Sequence, residues 1–127
     1  MNWKIENIES DHYVRVTFEG KFDSSQYREM LNDIISQEFW QPDTPLLMDN
    51  RNLDFGEIDF KTMRQLSLNF QSFAERIGKG KAAMLMKSIL DFGYGRQFEI
   101  LSDLRGETKM HVFTDEEKAL NWLLRKK

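Results

Sequence analysis

The residues of this 127-residue chain best placed to do chemistry lie within positions 45–60, PLLMDNRNLDFGEIDF. A short apolar run, Leu46-Leu47-Met48, meets the polar trio Asp49-Asn50-Arg51, with Asp54 following and a glycine-bearing loop beyond. An arginine set between carboxylates can receive an anion, because its planar guanidinium forms paired hydrogen bonds to carboxylate or phosphate. The same cluster also suits a plain strand exit, where Asp49 ties down a neighbouring loop and Arg51 faces water or pairs with an acid. A second constellation, Gly93-Tyr94-Gly95-Arg96, resembles a small anion nest at a helix start, where free N–H groups and the helix dipole favour negative charge. It lacks the glycine spacing and the Lys-Ser/Thr of a P-loop, and glycine there also serves an ordinary turn. If both clusters lie at one sheet edge, Arg51 and Arg96 face a shared crevice.

Other reactive groups are sparse. His12 and His111 are the only histidines, each in an expected strand without a second ligand at metal spacing or a nucleophile beside it. The absence of cysteine removes disulfides, thiolate metal sites and thiol nucleophiles together, and fits a cytoplasmic location. Asp115 and Glu117 sit at an expected helix start, where they complement the dipole. No catalytic residue, metal site or cofactor is expected. Ten Phe, three Trp and three Tyr exceed the needs of a minimal core. Phe55, Phe60, Phe70, Phe73 and Phe92 could line an apolar pocket, although helical spacing also suits ordinary packing for those at 60, 70 and 73.

Composition excludes further classes. With 18 basic and 21 acidic side chains, the net charge of −3 shows no concentrated basic face, so no nucleic acid partner is expected. The opening MNWKIENIES carries Lys4, Glu6 and Glu9, so it has no signal-peptide core. No segment approaches the ~18 uninterrupted apolar residues of a span, so no membrane insertion is expected. Two prolines, no low-complexity run and no repeat leave one domain over residues 1–127.

The elements that must position these groups follow from periodicity. Residues 3–8 alternate Trp3 and Ile5 against Lys4 and Glu6, with Ile8 breaking the phase. Along 12–20, Tyr13 and Arg15 point one way, and Val14, Val16 and Phe18 the other. Ser10-Asp11 suits a tight hairpin turn. Tyr27, Met30, Leu31, Ile34 and Ile35 form a helical stripe, with Asp23 and Gln26 as a capping box. A buried strand is expected at 46–49, and a helix over about 59–77 carries Phe60, Met63, Leu66, Phe70, Phe73 and Ile77 inward. Asp59 caps that helix and Gly78 ends it. A strand over 81–87 comes next. After Gly93 and Gly95 a helix carries Phe98, Leu101 and Leu104 and stops near Gly106. A last strand, 109–113, precedes a helix capped by Thr114 and Glu117, with Ala119, Leu120, Leu123 and Leu124 inside. Such alternation implies an α/β domain of order β-β-α-β-α-β-α-β-α, a five-stranded, mostly parallel sheet with four helices.

Three segments, LLMDNRNLDF, FGYGRQFE at 92–99 and VFTDEEKALNWL at 112–123, together with that order, carry a family likeness over nearly the whole chain. The chain resembles the uncharacterised SpoIIAA-like (STAS/SEC14-type) bacterial domains, related in fold to anti-sigma-factor antagonists and to the CRAL-TRIO lipid-transfer fold. In the antagonists a serine or threonine at the start of the helix after the central strand is phosphorylated to control partner binding. The matching residues here, Phe55-Gly56-Glu57-Ile58-Asp59-Phe60, hold no hydroxyl, and Thr62 falls inside the first helical turn. Glu57 and Asp59 already place fixed carboxylates where phosphorylation would add charge. The resemblance therefore implies a non-enzymatic, cytoplasmic protein-interaction or regulatory module without that switch. Its partner would be another protein or a second copy in a homodimer, met through residues 49–59 and the following helix. The alternative is a carrier or sensor of a small apolar or amphipathic anionic ligand, with Arg51 or Arg96 on the carboxylate. Asp49, Arg51, Asp54, Phe55, Glu57, Asp59, Tyr94 and Arg96 are the candidate ligand- or partner-binding residues.

Overall fold

Alternating side chains and one-handed crossovers build the sheet. A computed structural model describes residues 1–103 and 108–125. Strands β1 (Asn2–Ile8) and β2 (Tyr13–Lys21) pair antiparallel, with Ile5 opposite Val16. His12 belongs to the exposed turn between them at φ 58°, not to a strand, because closing the turn takes a left-handed backbone there. Strands β3 (Leu46–Asp54), β4 (Lys81–Leu85) and β5 (Lys109–Phe113) then add in chain order, each parallel to its predecessor.

When parallel strands are added in one direction, right-handed crossovers place every connecting helix on the same face. Helices α1 (Tyr27–Ile35), α2 (Phe60–Ser72), the short α3 (Ala74–Ile77) and α4 (Ile89–Asp103) are those connections. Helix α5 (Glu116–Leu124) follows the last strand and covers the opposite face. Two apolar clusters reflect this division. Val14, Val16, Phe18, Leu46 and Met48 pack under α1, α2 and α4, whereas Tyr13, Leu47, Ala83 and Leu85 pack under Ala119 and Leu123 of α5. The phase break at Ile8 has the same origin: Trp3 and Ile5 join the first cluster and Ile8 the second.

The α/β order is the expected one, but several bounds differ. Strand β3 runs to Asp54, because β2 continues far enough to pair Lys21 with it, so Arg51 and Asp54 are strand residues. Strand β4 stops at Leu85. The helix expected over 59–77 is broken at Phe73 into α2 and α3. Asp59 does cap α2, accepting the Thr62 N–H at 2.7 Å, and Gly78 ends α3 at φ 91°. Phe60, expected inside, is 64% exposed in the first turn. Asp23 caps a short 3-10 turn (Ser24–Gln26) that leads into α1. Asp115, not Thr114, caps α5.

The largest correction concerns α4. Ser88 opens it, its hydroxyl accepting the Asp91 N–H at 3.2 Å and its carbonyl the Phe92 N–H at 2.8 Å. Gly93, Tyr94, Gly95 and Arg96 are therefore interior helical residues, and their backbone N–H groups form no anion nest. Gly95 serves close packing instead. A Cβ there would stand 2.5 Å from Val112 Cγ2 and 3.1 Å from Met86 Cε. The expected positions of Leu104 and Gly106 lie outside the described residues.

Candidate functional site

Asp49 stands at the centre of the α5 face, 5% exposed, with every lone pair engaged. Its Oδ1 accepts the Arg51 backbone N–H at 3.1 Å and Nε–H at 3.0 Å, and its Oδ2 accepts Arg51 Nη2 at 2.9 Å and Arg15 Nη2 at 2.7 Å. Glu116, in the first turn of α5, accepts from the same two guanidinium groups at 2.9 and 2.8 Å. Two arginines and two carboxylates thus tie β2, β3 and α5 into a neutral network. Burial pushes the Asp49 carboxyl upward, but the Arg51 and Arg15 hydrogen bonds and charges outweigh it and hold the group below its ordinary value. Hydrogen bonding to Asp49 raises the Arg51 guanidinium in turn. Arg51 is consequently a fastener whose anion is already supplied by the chain.

On the opposite face an apolar, partly open cavity of about 60 Å³ lies between the sheet and α1, α2 and α4. Met1, Met30, Met48, Met63, Met84 and Met86 line it, six of the seven methionines in the chain. Phe18, Phe22, Tyr27, Phe55, Tyr94 and Phe98 supply the aromatic wall. The cavity lies below the carboxyl ends of the parallel strands, where ligands of open α/β sheets are met. Its roof is the loop after β3. Tyr94 Oη accepts the Ile58 N–H at 3.3 Å and donates to the Gly56 carbonyl at 3.2 Å, fixing that loop to α4. The Phe55 ring rests between Phe22 and Tyr94, at 5.6 and 6.2 Å between centroids.

The candidate positions therefore separate. Phe55 and Tyr94 meet at the cavity, while Asp49 and Arg51 belong to the ion network behind the sheet. Asp54 and Glu57 are exposed, Asp54 Oδ1 accepting the Gly56 N–H at 3.0 Å, and Asp59 is spent on its cap. Arg96 lies on α4 and donates to Glu99 at 2.6 Å. Glu99 is buried, accepts the Val112 N–H at 3.1 Å and stands 3.2 Å from His111 Nδ1. It thereby occupies a free donor of edge strand β5. Arg51 is tied to α5 through Glu116, whereas Arg96 lies on α4 with its partner Glu99 at the edge strand β5. Of the aromatic residues nominated for a pocket, Phe55 alone lines the cavity; Phe70 is core, Phe73 and Phe92 are half-buried beside it, and Phe60 faces water.

Sequence reasoning missed Arg15, Glu116 and Glu99, and it passed over the methionines. Arg15 carried a signal: a lone arginine in phase with buried Tyr13 needs an acid across the sheet. The methionines carried none, since their convergence comes from four separate elements, the segment before β1 and the connection after β4. Among the described residues, no three His, Asp or Glu side chains converge as a metal site. Among these residues too, no helix is long and apolar enough to cross a membrane.

No protein-family model and no curated protein matches the chain. Among solved structures, an uncharacterized protein of the DUF3478 family with a SpoIIAA-like fold, from Shewanella loihica PV-4, matches with a TM-score of 0.58. The match covers 96% of this chain and 92% of that one at 20% identity. The architecture is therefore SpoIIAA-like, and at this identity the likeness extends to the fold alone.

Proposed function

We propose that this SpoIIAA-like chain is a non-enzymatic, cytoplasmic, single-domain module that works by binding another protein at the carboxyl-end rim of its sheet. The observation that carries the reading is a set of large apolar side chains left in water at the helix starts that follow β3 and β4. Phe60 is 64%, Ile89 87% and Leu90 72% exposed, on the first turns of two packed helices, α2 and α4. Exposed apolar groups gathered at one edge mark an interaction surface more often than scattered ones do. The adjoining loop offers fixed acids, Glu57 and Asp59, and no hydroxyl, so binding would not be switched by phosphorylation there. A second copy of the chain is the first partner to test. Light scattering across a concentration series should report self-association, and Leu90→Asp should abolish it without moving the urea midpoint. A native protein that stays monomeric and retains no partner from lysate sinks the reading.

A second reading is favoured by the methionine-lined cavity: a carrier or sensor of a small apolar ligand. Methionine side chains are flexible and polarizable, so such a wall can re-pack around a guest. At about 60 Å³ the space is smaller than the ~150 Å³ that holds a benzene ring, so a guest must displace wall atoms. Native mass spectrometry of freshly purified protein tests this, an adduct of constant mass being the supporting result.

A further inference from the structure

The outer face of α4 is not built like a solvent face. Its inner side turns Tyr94 and Phe98 to the cavity. Among the described residues, its exposed positions are Ile89, Leu90, Gly93, Arg96, Gln97 and Ile100. The exposed positions of α1 are Arg28, Glu29 and Asn32, and those of α5 are Glu117, Lys118 and Asn121. At 3.6 residues per turn, Ile89, Gly93, Arg96 and Ile100 fall within about 60° of one another and form one stripe. Gly93 is the anomaly in it. Glycine weakens a helix interior, and nothing inside this chain calls for one there. Its φ lies outside the left-handed region, and an added Cβ would meet nothing within 4 Å. Gly95, by contrast, is required by Val112 and Met86. A glycine with open space above it lets a second backbone come close.

The spacing of the stripe identifies the occupant. Positions 89, 93, 96 and 100 are separated by four, three and four residues, so the stripe has the same spacing from either end. Two copies of α4 laid antiparallel about a two-fold axis set Ile89 of each against Ile100 of the other. Arg96 of each then lies over Gly93 of the other, where the missing side chain leaves room for its stem. A two-fold contact needs this reciprocity, residue i meeting j while j meets i. A parallel pair would set Gly93 on Gly93 and Arg96 on Arg96, a gap beside a like-charge contact. Arg96 brings no unpaired charge to the antiparallel contact, because Glu99 already neutralises it at 2.6 Å.

We propose that a second copy of the chain covers this face through an antiparallel α4–α4 contact, Ile89 on Ile100 and Arg96 over Gly93. This rests on the protein-binding reading above and extends its surface along α4. The stripe is only about 17 Å long, so the contact is smaller than a standard interface and the dimer is weak. Because the chain has no cysteine, introduced thiols report the register. Ile89→Cys and Ile100→Cys proteins, mixed at about 0.5 mM and mildly oxidised, should form at least about fivefold more mixed disulfide than either forms with itself. Like positions stand about 16 Å apart along the antiparallel pair, beyond the ~7 Å that a disulfide spans. Sedimentation equilibrium of native protein should show a dimer, weakened at least about tenfold by Gly93→Lys, while dilute Gly93→Lys protein melts no lower than native. Ile89→Cys protein that cross-links to itself as readily as to Ile100→Cys protein overturns the proposal. So does a dimer unmoved by Gly93→Lys, and either result leaves the rim reading standing through another surface. A native chain still monomeric at about 1 mM overturns the proposal outright, and the rim reading falls with it only if no other protein is retained.

Discussion

Arg15 and Glu116 are 101 positions apart in the chain and 2.9 Å apart in the fold. Their contact closes the first turn of α5 onto the second strand, with Asp49 beneath it as the common acceptor. The helix has few other holds on that part of the sheet, since its buried residues are Ala119 and Leu123.

Replacing Asp49 by Asn should therefore cost much more than replacing Glu116 by Gln. The first leaves two guanidinium groups, one of them largely buried, with a single carboxylate between them; about 3 kcal/mol is expected. The second removes a half-exposed acid and should cost no more than about 1 kcal/mol. Urea unfolding at constant m would measure both.

The same carboxyl sets a pH dependence. Its folded value lies below the ordinary one, so its contribution is complete above the unfolded value of about 3.9 and is lost as pH falls through the folded value. The stability gap between native protein and Asp49→Asn should hold steady from pH 8 to pH 5 and narrow below about pH 4. A gap that widens on acidification would contradict the network as described.

Two glycines on α4 should respond in opposite senses to alanine. At Gly93 an added Cβ meets nothing within 4 Å, so Gly93→Ala should stabilise by about 0.5–1 kcal/mol through helix propensity. At Gly95 the Cβ would press on Val112 and Met86, so Gly95→Ala should destabilise by about 1–3 kcal/mol despite the same propensity gain. Thermal unfolding of the pair separates packing from backbone entropy.

Tyr94→Phe removes both hydrogen bonds to the roof loop and keeps the ring beside Phe55. The expected loss is about 1 kcal/mol of stability, with faster hydrogen exchange at the Ile58 amide. Unchanged exchange there would mean that the loop is held by its apolar contacts alone.

Features that repeat locally could be read from the chain alone. Period-two alternation assigned the faces of β1 and β2, and the stripe Tyr27, Met30, Leu31, Ile34 assigned the buried side of α1. Asp59 could be read as a cap because its partner, Thr62, is three residues away. The strand–helix order followed, and with it the resemblance to SpoIIAA-like domains. Sites needed more. The Asp49 network draws on partners from β2 and α5, and its trio was read as a loop because pairing with a distant strand, not local propensity, extended β3. Ordinary alternation sent Arg51 to one face and Asn50 to the other, and one extra residue in that strand then returned Leu53, not Asn52, to the cavity side. The seven-residue gap between the expected and observed starts of α4 turned a supposed anion nest into a helix interior, because a Ser88–Asp91 cap outweighs two glycines that tertiary packing can tolerate or require. Register and helix placement are long-range properties of a folded chain, so tertiary structure alone could decide which polar groups meet and which face an empty space.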